Sequence, residues 1–187
     1  MRKLFLGTAA LIFTGLLAGC NHLTQYSLSE QEVNDYLHKH NDFQKQLGVP
    51  GLVDARITLT NLSSQIGRAE PGKVTLTGDA DIDVNSLFGA QKANMTLTLK
   101  ATPSFNKDEG AIYLKDMEVV DYTVKPEKMQ SVIKGLMPYL NQSLKSYFDQ
   151  KPAYVLSSDR SKGEAMAKKL AKGIEVKPGE LVIPFTD

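Results

Sequence analysis

KVTLTGDADIDVN, residues 73–85, places Val74, Leu76, Gly78, Ala80, Ile82 and Val84 at every second position with polar residues between them. Successive side chains of an extended chain point to opposite faces, so this stretch makes a strand with one dry face and one wet face. Upstream, Val53, Ala55, Ile57 and Leu59 alternate in the same way with Asp54, Arg56, Thr58 and Thr60; downstream, Ala93, Met95, Leu97, Leu99 and Ala101 repeat the pattern. A fourth strand is predicted from about Ala111 to Val124, entered through the turn Asn106-Lys107-Asp108-Glu109-Gly110. Its alternation slips near Met117, which predicts a bulge and a bend. Strands of 11–13 residues extend about 36–43 Å at about 3.3 Å per residue, well beyond the usual strand.

After Pro126 the period changes. Met129, Val132, Ile133, Leu136, Met137, Leu140, Leu144, Tyr147 and Phe148 fall on one stripe at three-and-four spacing, the signature of an amphipathic helix. Pro138 inside it predicts a kink or break near Lys134 to Leu136. A helix from Glu127 to Phe148 spans about 33 Å, comparable to the strands. Elements of matched length with one dry face each predict an α+β fold, in which a long, highly curved antiparallel sheet wraps around this helix.

On the N-terminal side, Ser29-Glu30-Gln31-Glu32 has the spacing of a capping box. It opens a first amphipathic helix carrying Val33, Tyr36 and Leu37, interrupted near Asn41 and ended by Gly48-Val49-Pro50-Gly51. The tail predicts a short strand at Ala153 to Leu156, a polar loop from Ser157 to Lys162, a helix around Glu164 to Lys172, and a terminal strand Leu181-Val182-Ile183-Pro184-Phe185. Pro184 puts that strand at an edge or its end.

Residues 1–19 read as an export signal: Arg2 and Lys3 precede an apolar run from Leu4 to Leu17 that is too short to span a membrane. The run closes on Leu17-Ala18-Gly19-Cys20, small residues before the only cysteine of the chain. That is the arrangement a lipoprotein peptidase requires, with the Cys20 sulfur as the nucleophile that takes up lipid. Cys20 is therefore predicted to be lipidated, carrying acyl chains such as palmitate, with residues 20–28 as the tether and residues 29–187 as one domain. Several acyl chains hold a protein firmly where one binds only reversibly. Asn21 after the cysteine, rather than Asp, favours the outer membrane, with the domain facing the periplasm.

Cleavage leaves 168 of the 187 residues, enough for one domain with a real core. It removes two basic residues, so 20 basic face 21 acidic and the formal charge is −1. Such a chain has no field to recruit nucleic acid.

Catalytic signatures are lacking: no nucleophile elbow, no phosphate loop, no zinc-protease motif and no free cysteine. The expectation is a protein that is not an enzyme and uses no cofactor. His22, His38 and His40 do not share a face that would hold a metal. Asp79, Asp81 and Asp83 resemble the start of a calcium loop, but Val84 and Ala90 stand where that loop needs Gly and Glu. A solvated sheet face is the better reading. Lys168, Lys169 and Lys172 read as the wet side of a short helix, and the methionines as core filling.

Several stretches together resemble a known family. Asn41-Asp42-Phe43 through Leu47-Gly48-Val49-Pro50-Gly51, Ile57 to Leu62 with Ile66-Gly67-Arg68, Val74 to Asp79, Pro138-Tyr139-Leu140-Asn141-Gln142, and Gly163 to Leu170 with Pro184-Phe185-Thr186-Asp187 are similar to the YceB lipoproteins of enterobacteria. The resemblance covers the signal, the lipidation motif and the mature chain. It implies a fold like that of the tubular lipid-binding (TULIP) proteins, the group of bactericidal/permeability-increasing protein, where a curved sheet and a long helix enclose an apolar channel. It brings no catalytic motif, and only Cys20 carries over as a residue assignment.

Two functional expectations follow. The first is an apolar ligand, a phospholipid or fatty acyl chain, held between the helix stripe and the dry face of the sheet by Met129, Val132, Ile133, Leu136 and Leu140 with Leu59, Leu76 and Leu97. The second is a non-enzymatic envelope scaffold with a packed core that holds a protein partner at the membrane.

Overall fold

The computed structural model describes residues 24–49, 53–87 and 89–186. The export signal, Cys20 and the first part of the tether lie outside the described residues. In chain order the elements are β1 (Gln25–Ser29), α1 (Glu30–His40), β2 (Gln44–Val49), β3 (Val53–Ile66), β4 (Val74–Ser86), β5 (Gly89–Asn106), β6 (Ala111–Lys125), α2 (Gln130–Gln150), β7 (Tyr154–Val155), α3 (Lys162–Leu170), β8 (Glu175–Lys177) and β9 (Glu180–Pro184), with a single 3-10 turn at Glu127–Met129 leading into α2. All of them follow Thr24, so a chain beginning at Asn21 retains every described element.

The protein is α+β. A six-stranded sheet in the order β2-β3-β4-β5-β6-β7 pairs antiparallel throughout. The long helix α2 packs along β6 and also touches β2, at the opposite margin of the same sheet. A sheet whose two margins reach one helix must curve around it. Strand alternation does the rest: Val74, Leu76, Ala80, Ile82 and Val84 of β4 are buried, as are Ala93, Met95, Leu97, Leu99 and Ala101 of β5. Their neighbours face water.

Two bulges bend the sheet. In β3 the register shifts between Thr60 and Ser63, with Asn61 at φ 51°, and the buried set moves from Ala55, Ile57 and Leu59 to Leu62, Ser64 and Ile66. Leu62 then lies over Gly78, where a Cβ would stand 2.8 Å from its Cδ2. That explains a glycine in the middle of β4. The second bulge is where the alternation slips near Met117: β5 and β6 lose register around Val119 to Lys115, and Asp116 takes φ 52°. Asn141 Oδ1 on α2 accepts from the Val119 amide at 2.9 Å, so the helix satisfies the strand at its irregularity.

A second, three-stranded sheet in the order β1-β9-β8 closes one end. Here β9 is the central strand, and Pro184 ends it opposite Gln25. The capping box at Ser29 and Glu32 is formed. Beyond the reach of β2, the edge of β3 is met by α1 side chains: Asn34 Oδ1 accepts from the Ser64 amide at 2.6 Å and Glu30 Oε2 from the Ile66 amide at 2.9 Å.

Four local expectations are corrected. Residues 25–28, read as tether, are strand β1, because Leu28 is fully buried opposite Leu181. Residues 44–49, read as the end of the first helix, are strand β2 paired to β3; the helix stops at Asn41. Residues 175–177 add a strand that carries no local pattern. Helix α2 continues through Pro138, so the break, one of the two outcomes expected there, does not occur: Ile133 and Leu140 on either side are both buried and that packing outweighs the lost backbone bond.

Candidate functional site

The seam between β2 and α2 is where the curved sheet comes back to its helix, and its two halves differ. The half nearer α1 is closed. Phe43 is buried and meets the Tyr147 ring edge-on at 5.1 Å and 86°, and Tyr147 meets Phe148 in the same way. The Tyr147 hydroxyl donates to Asp42, and Lys151 Nζ lies 3.1 Å from the other oxygen of the same carboxylate. These contacts hold the Asp42 carboxyl below its ordinary range, the Tyr147 hydrogen bond contributing most. Burial, and then the bond to Asp42, pushes the Tyr147 phenol up to about 12.

The other half is open. Gln46, Leu47 and Gly48 on β2 and Val132, Gly135, Leu136 and Tyr139 on α2 line a groove of about 440 Å³, within the range of small-molecule sites. The α2 residues follow helical spacing, so they form one row along the seam. Among the described lining residues none carries a charge. Gln46 is held at the rim by Asp54, its Nε2 donating at 2.7 Å. Val132 is 39% and Tyr139 62% exposed, which marks apolar surface that the protein's own side chains leave uncovered.

The residues expected to line an apolar site therefore divide. Leu59, Leu76, Leu97, Met129, Ile133 and Leu140 are all buried in one continuous hydrophobic core. Val132 and Leu136 line the groove. Cys20 lies outside the described residues. The groove also contains Leu47, Gly48, Gly135 and Tyr139, which the sequence does not single out. Leu47 and Gly48 look like the end of a helix, and an exposed glycine beside the apolar stripe carries no periodic signal. Gly135 is nevertheless unusual, as an interior helical glycine where alanine would hold the helix better.

A second cleft, of about 570 Å³, lies between α1, β7 and the start of α3. Several of its polar groups pair around Glu164. Glu164, only 3% exposed, accepts from the Tyr154 hydroxyl at 3.1 Å and the Ser157 amide at 2.7 Å, and pairs with Arg160 at 3.3 Å. The Arg160 guanidinium sits 4.7 Å over the Tyr154 ring. Burial, then the charges of Glu32 and Glu164, raises the Tyr26 phenol to about 12. This cluster ties three elements together around a cleft that also carries charged side chains.

The aspartates of β4 are also spoken for. Asp79 accepts from Asn61 and Thr96, Asp81 from Asn94, and Asp83 pairs with Lys92. They line the wet face of the sheet, and among the described residues no group of three His, Cys, Asp or Glu side chains is placed to hold a metal. No helix among the described residues is long and apolar enough to cross a membrane.

Comparison with known proteins adds the following. Residues 28–180 match the family described as Protein of unknown function (DUF1439). The chain is 69% identical over 183 residues to the Uncharacterized lipoprotein YceB of Escherichia coli (strain K12), covering 98% of both chains. It is 69% identical over 187 residues to the protein of the same name from Salmonella typhimurium (strain LT2), covering 100% of both. Among solved structures, a lipopolysaccharide binding protein is similar over 87% of this chain and 49% of its own, at 11% identity and a TM-score of 0.32.

Proposed function

The chain belongs to the DUF1439 family and, like the YceB proteins it matches, is a lipoprotein with a membrane anchor; from that premise we propose that it binds or carries an apolar ligand, a phospholipid or fatty acyl chain, in the groove between β2 and α2. The supporting observation is the contrast within the seam. A protein that fills the seam with Phe43, Tyr147 and Phe148 leaves the next stretch, Leu47 to Gly48 against Val132 to Tyr139, open and without charge among the described residues. Exposed apolar surface in a concave site is what a ligand covers. In this reading the protein catalyses nothing. Cys20 carries the lipid that holds it to the outer membrane, and the domain faces the periplasm.

The burial of Leu59, Leu76, Leu97, Met129, Ile133 and Leu140 favours a second reading, in which the interior is a packed core and the protein is a scaffold for an envelope partner. One experiment separates the two. The chain from Asn21 onward is expressed in the periplasm without Cys20, and native mass spectrometry with organic extraction reports what travels with it. Near-stoichiometric phospholipid or fatty acid, lost in Leu136→Asp, supports the lipid reading. A folded, lipid-free protein that takes up no added lipid leaves the scaffold.

A further inference from the structure

An interior helical glycine weakens a helix, and it is normally kept where something crowds its Cα. Nothing crowds Gly135: a Cβ built there has no heavy atom within 4 Å. The helix would accept alanine or a larger residue on packing grounds. What a side chain at this position would enter is the groove, whose α2 wall is the row Val132, Gly135, Leu136, Tyr139. On the facing strand the wall is again a glycine, Gly48, at φ 153°, a conformation that side-chain-bearing residues rarely adopt.

We infer that Gly135 sets the depth of the groove, and that the groove selects a single unbranched acyl chain. The inference rests on the lipid reading and specifies it. From Val132 to Tyr139 the helical row runs two turns, about 10 Å, flanked by one edge strand. The result is a long slot with one row of residues on each side and its floor cleared of side chains at two facing positions. Linear methylenes lie along such a slot, and a fused-ring ligand needs a wider one. With no charge among the described lining residues, the polar end of the ligand stays outside, beyond Gln46 and Tyr139.

The test measures affinity of the chain from Asn21 onward for saturated fatty acids from butanoate to stearate, with cholesterol as the fused-ring probe, alongside Gly135→Leu and Gly135→Ala. For the unsubstituted chain, affinity rises about fourfold per buried methylene until the slot is full, then levels off, and cholesterol binds more weakly than stearate. Gly135→Leu levels off at a shorter chain and loses about tenfold or more for octanoate and the longer acids, while butanoate stays within about twofold. Gly135→Ala reports on the fold: its methyl enters open space, and thermal unfolding moves up by about 2–4 °C. A Gly135→Leu profile that overlays the unsubstituted one, or cholesterol binding as tightly as stearate, overturns the inference and leaves the lipid reading standing. If the unsubstituted chain binds none of these probes, the lipid reading fails and the inference with it.

Discussion

The latched half of the seam joins the residues just ahead of β2 to the end of α2, and the open half joins β2 itself to the first half of α2. Where Asp42 and Phe43 face Tyr147, Phe148 and Lys151, aromatic edges interlock and a carboxylate ties them down. Where Gln46 to Gly48 face Val132 to Tyr139, two glycines stand in place of side chains and the seam gapes. The backbone scaffold alone therefore does not decide whether this protein is packed or hollow at its margin. Side-chain volume decides it, within a few residues.

The largest effect should come from breaking the latched half. Phe148→Ala removes a buried ring and is expected to cost roughly 3–5 kcal/mol in denaturant unfolding, with lipid uptake retained at temperatures where the variant is folded. Leu136→Asp acts on the other half. Leu136 only partly contacts the core, so the fold should lose less than about 1.5 kcal/mol, while a charge in the groove abolishes lipid retention on extraction. If Leu136→Asp unfolds the protein as Phe148→Ala does, the groove is core and the contrast collapses.

Alkali should loosen the latch from one side. The Tyr147 phenol is raised from 10.0 to about 12 in the folded protein, so the folded state holds this proton more tightly than the unfolded chain. Its contribution to stability is intact below pH 10 and lost as pH climbs from 10 through about 12. Tyr147→Phe removes that share of the alkaline decline, leaving the shares of Tyr26, Tyr36, Tyr113 and Tyr154, whose phenols are raised as well; an unchanged decline would remove Tyr147 from the explanation. Acid acts on the same pair through Asp42, whose folded pKa lies below 3.8. That contribution is present above the ordinary carboxylate range and fades as pH falls through the folded value. Asp42 is exposed, so Asp42→Asn should flatten the acid limb only slightly. The smallest effect belongs to the groove: Gly135→Ala should add about 0.5–1 kcal/mol in the same unfolding assay.

Much of the fold was legible in the chain. The period of two over 53–60, 73–85 and 93–101 became β3, β4 and β5, the slip near Met117 became a bulge, and the capping box at Ser29 opened α1. These features are written in neighbouring residues. β1 and β8 were not legible, because each is a strand only by pairing with β9 at the far end of the chain or across a turn. β2 was misread because its few residues, ending in Leu47, Gly48 and Val49, look like the stop of a helix until β3 lies beside them. Of the candidate site, Val132 and Leu136 were in view as part of the helix stripe. Gly135, Gly48, Leu47 and Tyr139 were not, since no local pattern says which margin of an apolar stripe will be left uncovered.

By itself, then, the sequence determined the lipoprotein family, the α+β class, and which faces of the strands and the long helix are dry. Those properties depend on local periodicity and on short motifs that act before or without folding. Only the tertiary structure decided that six of the eight apolar candidates are core, and that Val132 and Leu136 belong to a groove. The same residue types serve both purposes. Whether a leucine is packed or left open depends on what the returning chain brings opposite the helix, and here that is the Phe43 ring in one half and Gly48 in the other.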